Sequence, residues 1–570
     1  MSLRKTLSLL FRKYPLFRLG LIIFTCAATI GIISFITRET QKSPEIISIT
    51  PSVGSAGDIM SIHGLYFGDS RGTSGYVEVG GSRLTSGGYL NWSETEIRVI
   101  LPTNVQDGLV IVGTKHGRSN PGFFANTADI PVQVPPDTQT SLPVIASISP
   151  ASGSYGTLLS ITGTNFGTIR NNGYIKFTAN RDDATQATLT SQESSMDFDP
   201  QYIAANENNY DYEYWSDSEI RVRIPEGAAS GPVSIITEKG TSNTLQVEIN
   251  LPAGTKKYVA RRTYLLQLAE DIENLDSKNP TSVTMRVPRP VVTAEQPMAE
   301  LTECKPLPVI DDYRNTIIYQ IELARTTNRK MRFTQNFVVS VYAVQTEINP
   351  ARIRGYTEKD RMLYLSATQS DALIKSRDEK AIAKAKEIVG RETNPYRQAK
   401  KIYDYMLEHY DLQEKMQKQN NAPLSMLEKK QGDAYDFAVV YTTLLRALGI
   451  PALPVSGILV DADLKVQYHW WTEFYVEHFG WIPVDIVLAK GITYKAFKQP
   501  ENPPSFYFGN LDSQHIAFSR GWNEVKPALT NSKIVQRPKS YAFQSLWEES
   551  SAGKVNYSTL WNTPVVLGIY

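Results

Sequence analysis

The sequence predicts a multidomain protein, with an N-terminal transmembrane helix, two all-β sandwiches, a β-rich module and an α+β C-terminal domain. Three observations carry this: one long uncharged run, one internal repeat, and a change of hydrophobic period from two to the helical spacing after Ser370. The chain has 570 residues, and a domain usually takes about 100 to 200, so three to five units are expected. Hydrophobic residues make up 41% and charged residues 21%, as in ordinary globular proteins. A net charge of +1 concentrates no basic surface for a polyanion, so no nucleic-acid partner is expected. Two cysteines exclude a disulfide framework and cysteine-based zinc sites, and six scattered histidines show no ligand spacing. Neither a metal nor a cofactor is expected.

The first element is the run Leu19 to Thr37, which carries no charge and follows Arg4, Lys5, Arg12, Lys13 and Arg18. An apolar helix of about 20 residues spans a bilayer's hydrocarbon core. The basic flank places residues 1–18 in the cytoplasm and everything after residue 37 outside it, in the periplasm or beyond the cell. Two alternatives stay open: a cleaved signal peptide, and a lipid-modified N-terminus at Cys26.

Two copies of one plan follow, at 38–138 and 139–252. Ile49-Thr50-Pro51, Gly54, Gly57, Ser61-Ile62, Gly64 and Phe67-Gly68 recur 99 residues later as Ile148-Ser149-Pro150, Gly153, Gly156, Ser160-Ile161, Gly163 and Phe166-Gly167. Trp92-Ser93 and Glu96-Ile97-Arg98-Val99 recur as Trp215-Ser216 and Glu219-Ile220-Arg221-Val222, with the offset grown to 123. The period-two runs between glycine and proline turns read as half-buried strands of an antiparallel sandwich. The Ile-x-Pro, Gly-x-x-Gly and Gly-x-x-Phe-Gly elements of both copies resemble the IPT/TIG family, which implies immunoglobulin-like spacer or binding modules. The growth in offset is an acidic insertion at 178–213, carrying Asp182, Asp183, Glu193, Asp197, Asp199, Glu207, Asp211 and Glu213. It reads as a solvated, mobile loop, with a metal or ligand site as the alternative.

Residues 253–369 alternate apolar and polar side chains through Val283 to Pro288 and Phe337 to Val344, a β-rich module. From 370 to 500 the pattern turns mixed. Helices are predicted at Ala381 to Val389 and, behind the N-cap Asn394 and Pro395, at Tyr396 to Glu408. Asn420 to Lys430 reads as a polar loop. A further helix begins near Ala434, with the stripe Phe437, Val440, Tyr441, Leu444, Leu445 and Leu448. Strands are predicted at Val455 to Leu459, Trp470 to Val476 and Trp481 to Ile486. Residues 501–570 form a C-terminal extension of underived role.

Within that domain, Gly432-Asp433-Ala434-Tyr435-Asp436-Phe437-Ala438, the turn Gly449-Ile450-Pro451-Ala452, His469-x-Trp471-x-Glu473 and Trp481-x-Pro483-x-Asp485 resemble the motifs of the transglutaminase-like, papain-related superfamily. The resemblance implies a Cys-His-Asp triad with the nucleophile at position 434, His469 as base and Asp485 as its orienting carboxylate. Position 434 is alanine, and a methyl group attacks nothing. Read singly, His469 is a half-buried strand imidazole and Asp485 a turn carboxylate. Cys304, far away in sequence, would have to swing in to supply a thiol.

Tyr435, Asp436, Tyr468 and Trp470 are the candidate binding residues around the cleft. The reading that follows is a membrane-anchored envelope protein whose catalytically degenerate transglutaminase-like domain binds a peptide or protein ligand. The alternative is an active acyl transferase or peptidase with an unconventional nucleophile. A purely structural C-terminal domain, with the sandwiches making the contacts, is the third possibility.

Overall fold

The computed structural model describes residues 42–570 apart from 103–104, 127–140, 183–198, 200, 279–280, 324–325, 418–421, 523–531, 538, 544–546 and 552–554. The run predicted to span the membrane, Cys26 and much of the acidic insertion lie outside the described residues. Among the described residues, no helix is long and apolar enough to cross a membrane. The chain divides into two compact units, the first holding the first sandwich and the second holding everything from the second sandwich onward.

Both repeats fold to the same strand order. In the first, Glu45–Thr50, Ile59–Leu65, Glu96–Ile100 and Tyr89–Trp92 form one sheet in that order, and the strand Gly108–Thr114 centres the other. In the second, Val144–Ser149, Leu158–Thr164, Glu219–Arg223 and Tyr212–Trp215 repeat the first sheet. The shared motifs have shared jobs. Met60, Ile62, Ile97 and Val99 are buried in one copy as Leu159, Ile161, Ile220 and Val222 are in the other. The indole of Trp92 donates to the carbonyl of Phe67 at 3.0 Å, and that of Trp215 donates to the carbonyl of Phe166 at 3.2 Å.

Part of the insertion departs from the solvated-loop expectation. Tyr202–Ala204 pairs antiparallel with Tyr174–Thr178 and extends the sheet. Asp211 is 4% exposed and accepts from the Asn206 amide at 2.9 Å. Burial pushes its carboxyl up to about 7.

The β-rich module is built on two long antiparallel strands, Gly254–Ser277 and Thr326–Ile348. Val555–Trp561 and Val565–Ile569 both pair with the first of these. Trp547–Ser551 pairs with Thr281–Pro288 in a second sheet. Residues 501–570 therefore do not stand apart as an extension: their last strands pair with the module, and Val555, Trp561 and Val566 join its buried core.

In the C-terminal domain, α1 (Glu379–Val389) and α2 (Pro395–His409) occupy the predicted positions. The side chain of Asn394 accepts from the Arg397 amide at 3.1 Å, as its N-cap role requires. The stretch expected to be a polar loop contains a short 3-10 turn at Pro423–Ser425 and a helical turn at Met426–Lys429, anchored by the buried Met426. Helix α3 (Ala434–Ala447) packs beside the antiparallel sheet of β1 (Ala452–Val460), β2 (Val466–Val476), β3 (Gly480–Val484) and β4 (His515–Arg520). The strand order is β3-β2-β1-β4. Strand β4 lies past the boundary expected at residue 500, and Ile486 starts a short helix rather than ending β3.

The second sandwich is tied to this sheet. The Lys256 ammonium is buried and donates to both the Glu226 carboxylate and the Trp481 carbonyl. The Trp481 amide donates to Glu226 Oε2 at 2.7 Å. Arg223 reaches Glu358 at 2.9 Å, and Arg520 reaches the Asn209 side-chain oxygen at 3.0 Å.

Candidate active site

The N-terminus of α3 is fixed by a reciprocal capping box. The Asp433 side chain accepts from the Asp436 amide at 3.1 Å, and the Asp436 side chain accepts from the Asp433 amide at 3.2 Å. Ala434, the first helical residue, is 8% exposed. Thr442 of α3 and Thr472 of β2 have hydroxyls 3.1 Å apart, so the helix is hydrogen-bonded to the strand that carries His469.

His469 is fully buried on β2, and its Nε2 lies 2.5 Å from Asp485 Oδ2. Two of the three positions to which the resemblance assigns a triad are thus in direct contact. Asp485 is also the N-cap of the helix Ile486–Ala489, with Oδ1 accepting from the amides of Val487 and Leu488 at 3.0 and 2.9 Å. On the other side, His469 Nδ1 is buried with no hydrogen-bond partner among the described residues. Buried polar atoms are rarely left so, since the lost hydration is not returned.

A fourth participant has no counterpart among the residues singled out by sequence. His515 on β4 places Nε2 3.1 Å from Asp485 Oδ2 and Nδ1 2.9 Å from Asp512 Oδ1. With both nitrogens donating to carboxylates, the ring is an imidazolium. Burial pulls its pKa down, but Asp512 and Asp485 overcome this and push it up to about 9. Burial likewise opposes ionisation of Asp485, yet the two histidines hold its carboxyl well below the usual range. His469, Asp485 and His515 bring three possible ligand atoms within 4.8 Å of one another. With both of its nitrogens committed to carboxylates, His515 has no lone pair to offer a cation. In the sequence His515 is a histidine three residues after an aspartate, a pattern too common to stand out.

The candidate binding residues do not line an open cleft. Tyr435 and Trp470 are 5% and 3% exposed and pack edge to face with ring centroids 5.8 Å apart. Asp436 is 5% exposed and is used in the capping box. The segment Lys539 to Phe543 covers them. Phe543 lies 6.1 Å from the Tyr435 ring, Tyr541 lies 5.8 Å from the half-buried Tyr468 ring, and the Ser540 carbonyl accepts from Ser456 Oγ at 3.0 Å. The aromatic side chains expected to flank a cleft are packed against the chain itself. A cavity of about 300 Å³ lies elsewhere, between the second sandwich and residues 292–297, lined by Tyr174, Lys176, Tyr202 and Glu226 among others.

Residues 382–486 match the model of the transglutaminase-like superfamily, and residues 44–127 and 143–249 match that of the IPT/TIG domain. The chain carries a transglutaminase-like domain and two IPT/TIG domains. An uncharacterised protein of Haemophilus influenzae is 24% identical over 188 residues, which cover 27% of this chain and 49% of that protein. The chain thus spans about half the length of that curated relative. A cyclomaltodextrin glucanotransferase of Paenibacillus macerans is 36% identical over 62 residues, 11% of this chain and 8% of that enzyme. Among solved structures, the periplasmic domain of TgpA from Pseudomonas aeruginosa is 14% identical, covering 42% of this chain and 88% of that one with a TM-score of 0.23.

Proposed function

We propose that this protein is an envelope-anchored binding scaffold whose transglutaminase-like domain is catalytically silent. One observation carries the reading: the helix N-terminus that would present a thiolate presents the Ala434 methyl, while the buried His469–Asp485 pair, on the sheet against which that helix packs, keeps an unpartnered Nδ1. On this reading His469 and Asp485 keep the mutual contact of a base and its orienting carboxylate, with no nucleophile for them to activate. Burial supports the same conclusion, because no substrate carbonyl reaches a histidine with no exposed surface.

The anchoring rests on the uncharged run Leu19 to Thr37 and its basic flank, which set the bulk of the chain outside the cytoplasm. The partner is a protein or peptide of the envelope. Because the old groove already holds Lys539 to Phe543, that partner is held at another surface of the scaffold. The ties from Lys256, Glu226 and Arg223 suit such a role, since they join the second IPT/TIG domain to the core.

Purified protein incubated with glutamine peptides and an amine acceptor is expected to release no ammonia, and to cleave no peptide. Turnover that survives thiol alkylation but disappears in His469→Ala would overturn the proposal and favour an acyl transferase or peptidase with an unconventional nucleophile.

A further inference from the structure

A second cluster of reactive groups is buried at the start of α3. Lys539 is 3% exposed, with its ammonium 2.6 Å from Asp433 Oδ2 and 3.8 Å from Asp436 Oδ1. Asp433 and Asp436 are 2% and 5% exposed. The Tyr435 ring centroid lies 5.0 Å from the same ammonium, and Phe543 and Trp470 pack on that ring.

The capping box accounts for one oxygen of each carboxylate, Asp433 Oδ1 and Asp436 Oδ2. It leaves the other two unexplained. Asp433 Oδ2 receives the Lys539 ammonium together with the Gln417 amide at 2.7 Å, and Asp436 Oδ1 is buried with no hydrogen-bond partner among the described residues. Two carboxylates and one ammonium shut away from water are costly to keep charged, because their mutual attraction does not repay lost hydration. An amide between one carboxylate and the lysine removes two of the three charges and keeps the same atoms in contact.

We propose that Lys539 and Asp433 are joined by an isopeptide bond, which the folded chain forms by itself with Asp436 as the proton carrier. Lys539 Nζ gives up a proton and becomes a free amine, and its lone pair adds to Cγ of Asp433. The new C–N bond forms as one C–O bond of that carboxyl group breaks. Nζ loses two protons in all, both end on the departing oxygen, and the oxygen leaves as water. Ammonium and carboxylate become a neutral amide, so charge balances and no oxidant or other reactant is needed.

Asp436 suits the relay. Burial, with the charge of Asp433 next to it, pushes its carboxyl up to about 6, so it takes and returns a proton near neutrality. Holding amine and carboxyl in contact supplies the proximity that the same condensation lacks in solution. Exclusion of water from the product opposes its hydrolysis. The bond links residues 106 apart in sequence and fixes Lys539 to Phe543 over Tyr435 and Tyr468. It is independent of whether the His469 site is silent.

Mass spectrometry of the full chain after tryptic digestion tests this. The expected result is a branched peptide joining the stretches around Asp433 and Lys539, lighter than their sum by one water molecule and resistant to trypsin at Lys539. In Lys539→Arg, which keeps the charge and cannot form the amide, the peptides should be linear and of full mass. Linear peptides containing unmodified Asp433 and Lys539 from the wild-type chain would overturn the proposal. So would a water loss that persists in Lys539→Arg.

Discussion

If the His469–Asp485–His515–Asp512 chain is a structural network, its stability must follow the charge on His515. The native pKa of about 9 exceeds the unfolded value of 6.5, so the folded state favours the protonated ring. Its contribution is complete below pH 6.5 and is lost as pH rises through 9. A displacement of that size corresponds to about 3 kcal/mol. Asp211, Glu270 and Glu473 are also raised by burial, to about 7, 8 and 7, and they weaken the fold over overlapping pH ranges. The measurement is therefore the difference between wild type and His515→Gln. Urea unfolding is followed by fluorescence of the buried Trp470, Trp471 and Trp481, from pH 6 to pH 9.5. Wild type should lose about 3 kcal/mol more than the variant across that range. Nitrogen-15 spectra of the imidazoles give a direct check, since His515 should remain doubly protonated at pH 8. Parallel stability profiles, or a neutral ring at pH 8, would refute the network.

Further outcomes are expected elsewhere in the molecule. Lys256→Met removes the buried counter-charge of Glu226 and a donor to the Trp481 carbonyl, and should cost about 3 to 5 kcal/mol in denaturant unfolding, with part recovered on adding Glu226→Gln. Ala434→Cys should yield a thiol alkylated by iodoacetamide near pH 6, well below the ordinary cysteine pKa of about 8.5. Cys304 is the internal control, because burial and the charges of Asp311 and Glu303 raise its thiol pKa. If the new thiol reacts no faster than Cys304, His469 has lost its catalytic geometry. Protease added to spheroplasts should digest both IPT/TIG domains and the C-terminal domain, and full protection of peptides around Trp481 would reject the outward orientation.

What was legible in the sequence was local. The sandwich repeat is readable because glycines and aromatic residues recur at the same offsets, and each performs one turn or one core contact. Helix α3 is readable from its apolar stripe, and β1 to β3 from short apolar runs between turns. Pairings distant in sequence left no such mark. Glu270 pairs with Trp561 and Val283 with Ser550, and period-two alternation says that a strand exists without saying which partner it finds. The same blindness hid Lys539, which lies 106 residues from Asp433 in a segment with no recognisable motif. Tyr435 and Trp470 look like cleft walls in the sequence because their neighbours resemble catalytic motifs. They pack on each other, and Phe543, 108 residues after Tyr435, packs on the Tyr435 ring.

His515 also limits how much chemistry one substitution restores. A thiolate at position 434 would be stabilised by an imidazolium at His469, and that imidazolium by Asp485. In this chain Asp485 Oδ2 already accepts from the His515 imidazolium at 3.1 Å, so two cations would have to share one carboxylate. Like charges so close disfavour each other. Introducing a cysteine alone should therefore lower the thiol pKa less than a site with an uncommitted carboxylate allows. Ala434→Cys combined with His515→Gln removes the competing cation and should react faster at pH 6 than Ala434→Cys alone. Equal rates in the two variants would show that His515 does not compete for Asp485, and that any loss of reactivity lies instead in the distance between position 434 and His469.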